Sequence, residues 1–139
     1  MARIVAIDYG MKRCGIAVTD EFQIIATALT TVESKTIFDF LKNYFAKEKV
    51  EEIVVGYPKD LFNRDTHGTK PVEEFVKKFK QQFPEYKVEL VDERFTSKLA
   101  SQSMVMSGVK KSQRQDKGLI DQISATIILQ HYLETKNRF

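Results

Sequence analysis

The chain has 139 residues, a length typical of one domain, and its 42% hydrophobic and 29% charged residues are far from a disordered composition. Cys14 is the single cysteine, which excludes an internal disulfide, and with two histidines it also excludes a zinc cluster built on several cysteines. No apolar run approaches the roughly 20 residues that a membrane-spanning helix needs. We therefore expect one soluble domain over residues 1–139, in the reducing environment of the cytoplasm, with no membrane partner.

The first third of the chain predicts three short strands, over residues 4–7, 15–19 and 24–32. The turns between them are too short for a crossover, so the strands are expected to form an antiparallel meander. Gly10 lies in the first turn and is expected to adopt a positive φ there.

The remainder alternates helical and strand patterns. Ser34 is a predicted N-cap for a helix whose apolar residues fall between 37 and 45. Phe38 and Phe75 belong to a set of aromatic residues at helical spacing that is expected in the core. The further predictions are a strand over 52–56, a helix opened by Pro71, a strand over 87–91 and helices beginning at Thr96 and near Asp116. This order predicts an α/β fold, with a mixed five-stranded sheet that joins the meander to parallel strands and has helices on both faces.

Acidic residues stand where an α/β sheet carries its functional groups. Asp8 ends the first predicted strand, and Asp92 and Glu93 follow the fifth. Sites in such sheets lie beyond the carboxyl ends of strands, so these carboxylates are expected to share a crevice. Asp121 lies on the last predicted helix, on one face with Ser124, where a carboxylate is costly to bury unless it is paired or binds a metal.

Converging carboxylates with no cysteine or histidine cluster suit a hard cation, Mg²⁺ or Mn²⁺. Two such ions roughly 3.5–4 Å apart can hold the attacking and leaving oxygens of a phosphodiester bond, so no protein nucleophile is needed. Each acid alone is more often a surface carboxylate or a helix cap. Their shared placement at strand ends, beside a basic segment, favours metal-dependent phosphodiester cleavage.

Basic residues are concentrated in one segment. Residues 94–118 hold six lysines and arginines against one aspartate, a local charge of +5, whereas the whole chain carries +3. Such a segment is the electrostatic footprint of a polyanion partner, and a solvated helix face is the alternative. Lys12 and Arg13, at the tip of the first turn, are further candidates for phosphate contact. The predicted nucleic-acid-binding residues are Lys12, Arg13, Arg94, Lys98, Lys110, Lys111 and Arg114.

Five segments resemble one family. They are IDYG at 7–10, RCGIAVTD at 13–20, VVGYP at 54–58, DERFTS at 92–97 and DQISATIILQ at 121–130. In this order and over nearly the whole chain, they resemble the YqgF family of Holliday-junction-resolvase-like proteins, which are also described as pre-16S ribosomal RNA nucleases. The segment at 92–97 is the most specific of the five.

The resemblance implies an RNase-H-like fold and a hydrolase, a metal-dependent endonuclease that processes the 5′ end of pre-16S ribosomal RNA. Carried over by position, Asp8, Glu93 and Asp121 are the catalytic, metal-binding acids. The loop at 59–68, which contains His67, is longer than the turn that many family members have, so it leaves loop contacts to the substrate open.

Three other functions remain open at this point. A Holliday-junction resolvase would use the same residues on branched DNA and, because it makes two symmetric cuts, would need a homodimer instead of a monomer. A non-catalytic nucleic-acid-binding module would need only the basic segment. An actin-like ATPase would need two such domains, which this length does not supply.

Overall fold

The computed structural model describes residues 2–57, 69–92 and 117–136. Within them lie all five predicted strands and three of the four predicted helices, while the helix predicted from Thr96 lies outside the described residues. A single 3₁₀ turn at Ser34–Thr36 precedes the first helix. The elements are β1 (Arg3–Tyr9), β2 (Arg13–Thr19), β3 (Ala26–Glu33), α1 (Ile37–Lys47), β4 (Val50–Tyr57), α2 (Thr69–Gln82), β5 (Lys87–Asp92) and α3 (Lys117–Lys136).

The five strands form one mixed sheet in the order β3-β2-β1-β4-β5. β1 pairs antiparallel with β2, and β2 antiparallel with β3, which confirms the meander. β4 pairs parallel with β1, and β5 parallel with β4. The carboxyl ends of β1, β4 and β5 therefore lie at the same edge of the sheet, which we call the carboxyl edge.

Helices cover both faces of the sheet, as the sequence predicted. Side chains alternate along a strand, so Val5 and Ile7 pack with α1 and α2, whereas Ile4 and Ala6 pack with α3. All four are fully buried. The first face is the larger core, with Phe79 at its centre and the aromatic rings of α1 and α2 around it.

Two local predictions at the start of the chain are wrong. Ser34 is not the N-cap of α1: it begins the 3₁₀ turn, and Thr36 precedes the helix without a side-chain cap. The hydroxyl of Ser34 donates instead to the carbonyl of Gly10, across the β1–β2 turn. Gly10 does not have a positive φ. Its requirement is steric, because a Cβ there would lie 2.6 Å from the carbonyl oxygen of Arg13.

The direction of α3 is fixed by contacts near its carboxyl end. The Tyr132 hydroxyl and the Lys136 ammonium both reach the carboxylate of Glu52, which lies near the start of β4. α3 therefore runs antiparallel to β1 and β4, and its amino-terminal half approaches the carboxyl edge. None of the described helices is long and apolar enough to cross a membrane.

Candidate active site

Asp8 lies near the carboxyl end of β1. Asp8 is two residues after Ala6 and four after Ile4, so its side chain lies on the same face of the sheet as theirs, the face that α3 covers. It is only partly buried. The two parallel strands beside it end at the same edge, where Tyr57 of β4 pairs with Asp92 of β5. The structure thus puts Asp8 at the edge where α/β sheets bind their ligands.

Glycines flank Asp8 on both sides. Gly15 of β2 is its direct antiparallel partner. On the other side Ile7 pairs with Val55, so the next residue of each strand brings Gly56 level with Asp8. Because glycine has no side chain, neither neighbouring strand places atoms beyond the backbone next to this carboxylate. The two flanking strands therefore add no side chain at the level of Asp8.

Helical position 121 lies at about the same height as Asp8. Tyr132 contacts Glu52, which is level with Ile4 of β1. From Ile4 the strand advances four residues to Asp8, about 13 Å, and from Tyr132 the helix returns eleven residues to position 121, about 16 Å. Ser124 and Ala125, one turn further along α3, are buried against the sheet. The backbone of α3 thus brings position 121 to the carboxyl edge.

The rest of the predicted site lies outside what the structure describes. The side chain of Asp121 is outside the described part although its helix is within it, and Glu93 follows directly on the last described residue of β5. Among the described side chains, no three of His, Cys, Asp and Glu come together in a way that would hold a metal ion. The predicted phosphate-binding residues outside the described ranges are Arg94, Lys98, Lys110, Lys111 and Arg114, and the loop at 59–68 with His67 is also outside them.

What is described fits a hard cation. The carboxylate of Asp8 is an oxygen ligand of the kind that Mg²⁺ prefers, and the neighbouring strand positions, Gly15 and Gly56, carry no side chain. Lys12 and Arg13 lie in or directly after the β1–β2 turn, so they are at the same edge as Asp8. Lys12 is exposed and Arg13 is partly buried. A phosphate group beside Asp8 would therefore meet basic side chains from the adjoining turn.

Sequence reasoning missed two features that the fold assembles. One is a cavity beside Tyr9, on the sheet face opposite Asp8. The other is the buried carboxylate of Glu52, which is 2% exposed and contacts Tyr132 and Lys136 of α3. Both join segments that are far apart in the chain. No short motif marks either one, although a glutamate within an apolar strand is a weak signal for a buried ion pair.

The fold has a counterpart among solved structures. Over 98% of this chain and 96% of the other, it matches the structure entitled "T. thermophilus RuvC in complex with Holliday junction substrate", with a TM-score of 0.53 and 16% sequence identity. At this identity the likeness shows the fold alone. That fold is RNase-H-like, which confirms the fold class expected from the sequence.

Sequence comparison gives the family. The family model described as "RuvX: Holliday junction resolvase" matches residues 2–135, and the chain belongs to this family. It is 57% identical over 98% of its length to a Flavobacterium psychrophilum protein, of which it covers 99%. It is 55% identical, over the same shares, to a Bacteroides fragilis protein. Both relatives are named "Putative pre-16S rRNA nuclease". The resemblance seen in the sequence is confirmed, and the chain is a member of a nuclease family.

Proposed function

We propose that this protein is a metal-dependent endonuclease that processes the 5′ end of pre-16S ribosomal RNA in the cytoplasm, with residues 1–139 working as one domain. The proposal is supported by the RuvX family membership and by the names of relatives that the chain matches over nearly all of their length. Those relatives share more than half of their residues with this chain, which is close enough for an active site to be kept.

The observation that carries the proposal is the meeting of β1 and α3 at the carboxyl edge. Asp8 is at that edge, with Gly15 beside it on β2 and Gly56 level with it on β4. Helical position 121 is at about the same height. Glu93 follows β5, whose last residue pairs with Tyr57 at the same edge. Asp8 and helical position 121 are thus at one edge of the sheet, and Glu93 is the next residue after a strand that ends at that edge; these placements support the proposed three-acid site.

In the proposed site, Asp8, Glu93 and Asp121 hold the divalent ions, Mg²⁺ or Mn²⁺. When bound, such ions activate the attacking oxygen and stabilise charge on the leaving oxygen of the phosphodiester. The protein's contribution is to fix the carboxylates in place and to orient the strand. Phosphate contacts give affinity with little sequence reading. Besides Arg94, the proposed phosphate-binding residues are Lys12, Arg13, Lys98, Lys110, Lys111 and Arg114.

The proposal is tested by cleavage of a pre-16S RNA fragment and of a synthetic four-way DNA junction, each with Mg²⁺, Mn²⁺ or a chelator. We expect metal-dependent cuts in the RNA. Asp8→Asn should lose them and still fold and bind RNA, whereas Asp39→Asn, a matched change of an exposed aspartate on α1, should cut like the wild type. Full activity of Asp8→Asn, or cleavage in the chelator, would contradict the metal mechanism. RNA binding with no cleavage under any condition would favour the non-catalytic binding module.

A Holliday-junction resolvase is the second candidate, because the family model carries that description and the solved structure of the same fold was determined with a junction. The residues and chemistry would be the same. Two symmetric cuts require two active sites, so this function needs a homodimer. This function is favoured if the protein cuts the four-way junction but leaves the RNA intact, and if sedimentation shows that the protein is a dimer. A strictly monomeric protein would exclude it.

A further inference from the structure

A cavity of about 370 Å³ opens beside Tyr9. It lies between the β1–β2 turn, the 3₁₀ turn that begins at Ser34, and α2. Tyr9 follows Asp8 directly on β1, so the two side chains leave opposite faces of the sheet while their Cα atoms are only about 3.8 Å apart. The cavity is therefore at the carboxyl edge but outside the candidate active site.

Aromatic rings form one side of this cavity. Tyr9 is stacked on Phe75 with ring centroids 4.6 Å apart and planes inclined by 21°, and Phe38 lies 5.4 Å from Phe75. Phe75 is 2% exposed and so belongs to the core, which fixes the other two rings. Tyr9 and Phe38 are only partly buried and line the opening. A planar, apolar ligand would find a π surface here at little cost in side-chain entropy.

Charged groups form the other side. Lys35 comes from the 3₁₀ turn, and Glu74 and Lys78 stand one turn apart on α2. All three are exposed. The Lys35 ammonium is 3.3 Å from Glu33, a pair exposed enough to rearrange. Glu74 is close enough to the Tyr9 ring that its charge, after burial and Cys14, helps to raise the pKa of the phenol. The cavity thus offers two cations and one hydrogen-bond acceptor around an aromatic wall.

The floor between these two sides is rigid. Ser34 is 8% exposed, its hydroxyl donates to the carbonyl of Gly10, and its backbone N–H donates to Lys12 at 3.0 Å. The Cys14 sulfur lies 3.4 Å from the same hydroxyl. These bonds tie the β1–β2 turn to the 3₁₀ turn. A cavity held in this way is already formed before a ligand arrives.

We propose that this cavity binds one unstacked base of the RNA strand, next to the phosphate held at Asp8. This inference rests on the proposed function. The base stacks against Tyr9 and Phe38, an amino group of the base donates to Glu74, and Lys78 neutralises a neighbouring phosphate. Proteins that read single-stranded RNA use this combination of aromatic faces and basic side chains. The volume is at the lower end of the roughly 300–1,000 Å³ of small-molecule sites, which suits one nucleotide.

The test measures binding of a short single-stranded RNA that carries one 2-aminopurine, in the presence of a chelator so that no cleavage occurs. We expect wild-type protein to change the fluorescence of the probe. Phe38→Leu should weaken binding about tenfold, roughly the effect of losing one stacked base, and should abolish the fluorescence change. Phe40→Leu is the matched control, because Phe40 stacks on Tyr44 and does not line the cavity.

A second pair of variants changes only exposed side chains, so both proteins are expected to fold. Lys78→Glu reverses a charge at the cavity, and Lys77→Glu makes the same change on an adjacent exposed residue of α2 that does not line it. We expect weaker RNA binding from Lys78→Glu than from Lys77→Glu.

Equal effects within both pairs would overturn the cavity assignment, and if wild type still cut pre-16S RNA the proposed function would stand. Binding with a probe response but no cleavage under any metal condition would support the cavity and refute the nuclease. Absence of any RNA binding by the wild type would refute both.

Discussion

The Tyr132 hydroxyl lies 3.0 and 3.1 Å from the two carboxylate oxygens of Glu52, a residue 80 positions earlier in the chain. Glu52 is 2% exposed, and the Lys136 ammonium lies 3.0 Å from the same carboxylate. A buried charge without partners would be strongly destabilising, so these contacts favour the arrangement in which the carboxyl end of α3 lies beside the start of β4. They act at the end of α3 opposite position 121, on a strand, β4, that pairs with the strand that carries Asp8.

Removal of the Tyr132 hydroxyl should destabilise the fold. We expect Tyr132→Phe to lower the free energy of unfolding by about 1–2 kcal/mol, because a buried carboxylate loses one donor while Lys136 remains. Urea denaturation measures this value. Tyr86→Phe is the control, since the Tyr86 ring stacks on Phe45 and its hydroxyl has no hydrogen-bond partner among the described residues. Equal losses from both variants would show that the Glu52 contact contributes nothing.

The same contact predicts behaviour at alkaline pH. Burial, followed by the charge and hydrogen bond of Glu52, raises the pKa of Tyr132 above its usual value of 10.0. A raised folded-state pKa gives stability that is fully present below the unfolded pKa and is lost as pH rises through the folded value. We therefore expect the stability of the wild type to fall above pH 10 more steeply than that of Tyr132→Phe. Parallel curves in urea denaturation across this range would contradict the assignment.

The hydrogen bonds of Asp20 predict that the stability of the fold decreases at acid pH. Its Oδ1 accepts from the backbone N–H groups of Ile24 and Ile25, at 2.7 and 2.9 Å, and Oδ2 accepts from Phe22 at 3.3 Å. The bonds from Ile25 and Ile24 are the main causes that lower the pKa of this carboxyl below 3.8. A lowered pKa gives stability that is present above the unfolded value and is lost as pH falls through the folded value.

Two variants separate the charge of Asp20 from its role as an acceptor. Asp20→Asn keeps an oxygen for Ile24 and Ile25 but cannot titrate, so its stability should change less than that of the wild type below about pH 4. Asp20→Ala loses the acceptor at every pH and should be less stable throughout. Thermal unfolding between neutral and acid pH distinguishes these patterns. An Asp20→Ala protein as stable as the wild type at neutral pH would mean that the turn does not need this side chain.

The packing of α3 can be tested at Ala125, which is fully buried against the sheet one turn from position 121. Ala125→Leu would insert a larger side chain between helix and sheet and should cost about 1–3 kcal/mol of stability. It should also weaken metal binding, because the amino-terminal half of α3 must move outward. Gln130→Leu, on the exposed side of α3, should change neither property. Calorimetric titration with Mn²⁺ and urea denaturation provide the two measurements.

The candidate active site predicts that metal binding stabilises the fold. A ligand that binds only the folded protein raises its stability by about 2.7 kcal/mol when present at 100 times its dissociation constant. Mg²⁺ should therefore raise the unfolding midpoint of the wild type and of Asp39→Asn, but not that of Asp8→Asn. The same rise in all three proteins would place the bound ion somewhere other than Asp8.

The sequence by itself determined the strands and the helices, because apolar periodicity and turn residues act locally. Ile4 to Ile7 read as a buried strand and Phe75 as a core residue of the helix opened by Pro71, and the structure agrees. It also determined the family, because the segment at 92–97 is specific and the other four matching segments occur in the same order. Which groups meet across the sheet was decided only by the tertiary structure. The register of β1 against β4 and the anchoring of α3 through Glu52 bring position 121 to the height of Asp8. The packing of the β1–β2 turn against the 3₁₀ turn and α2 forms the cavity beside Tyr9. These relationships depend on contacts between segments many residues apart, and no local pattern encodes them.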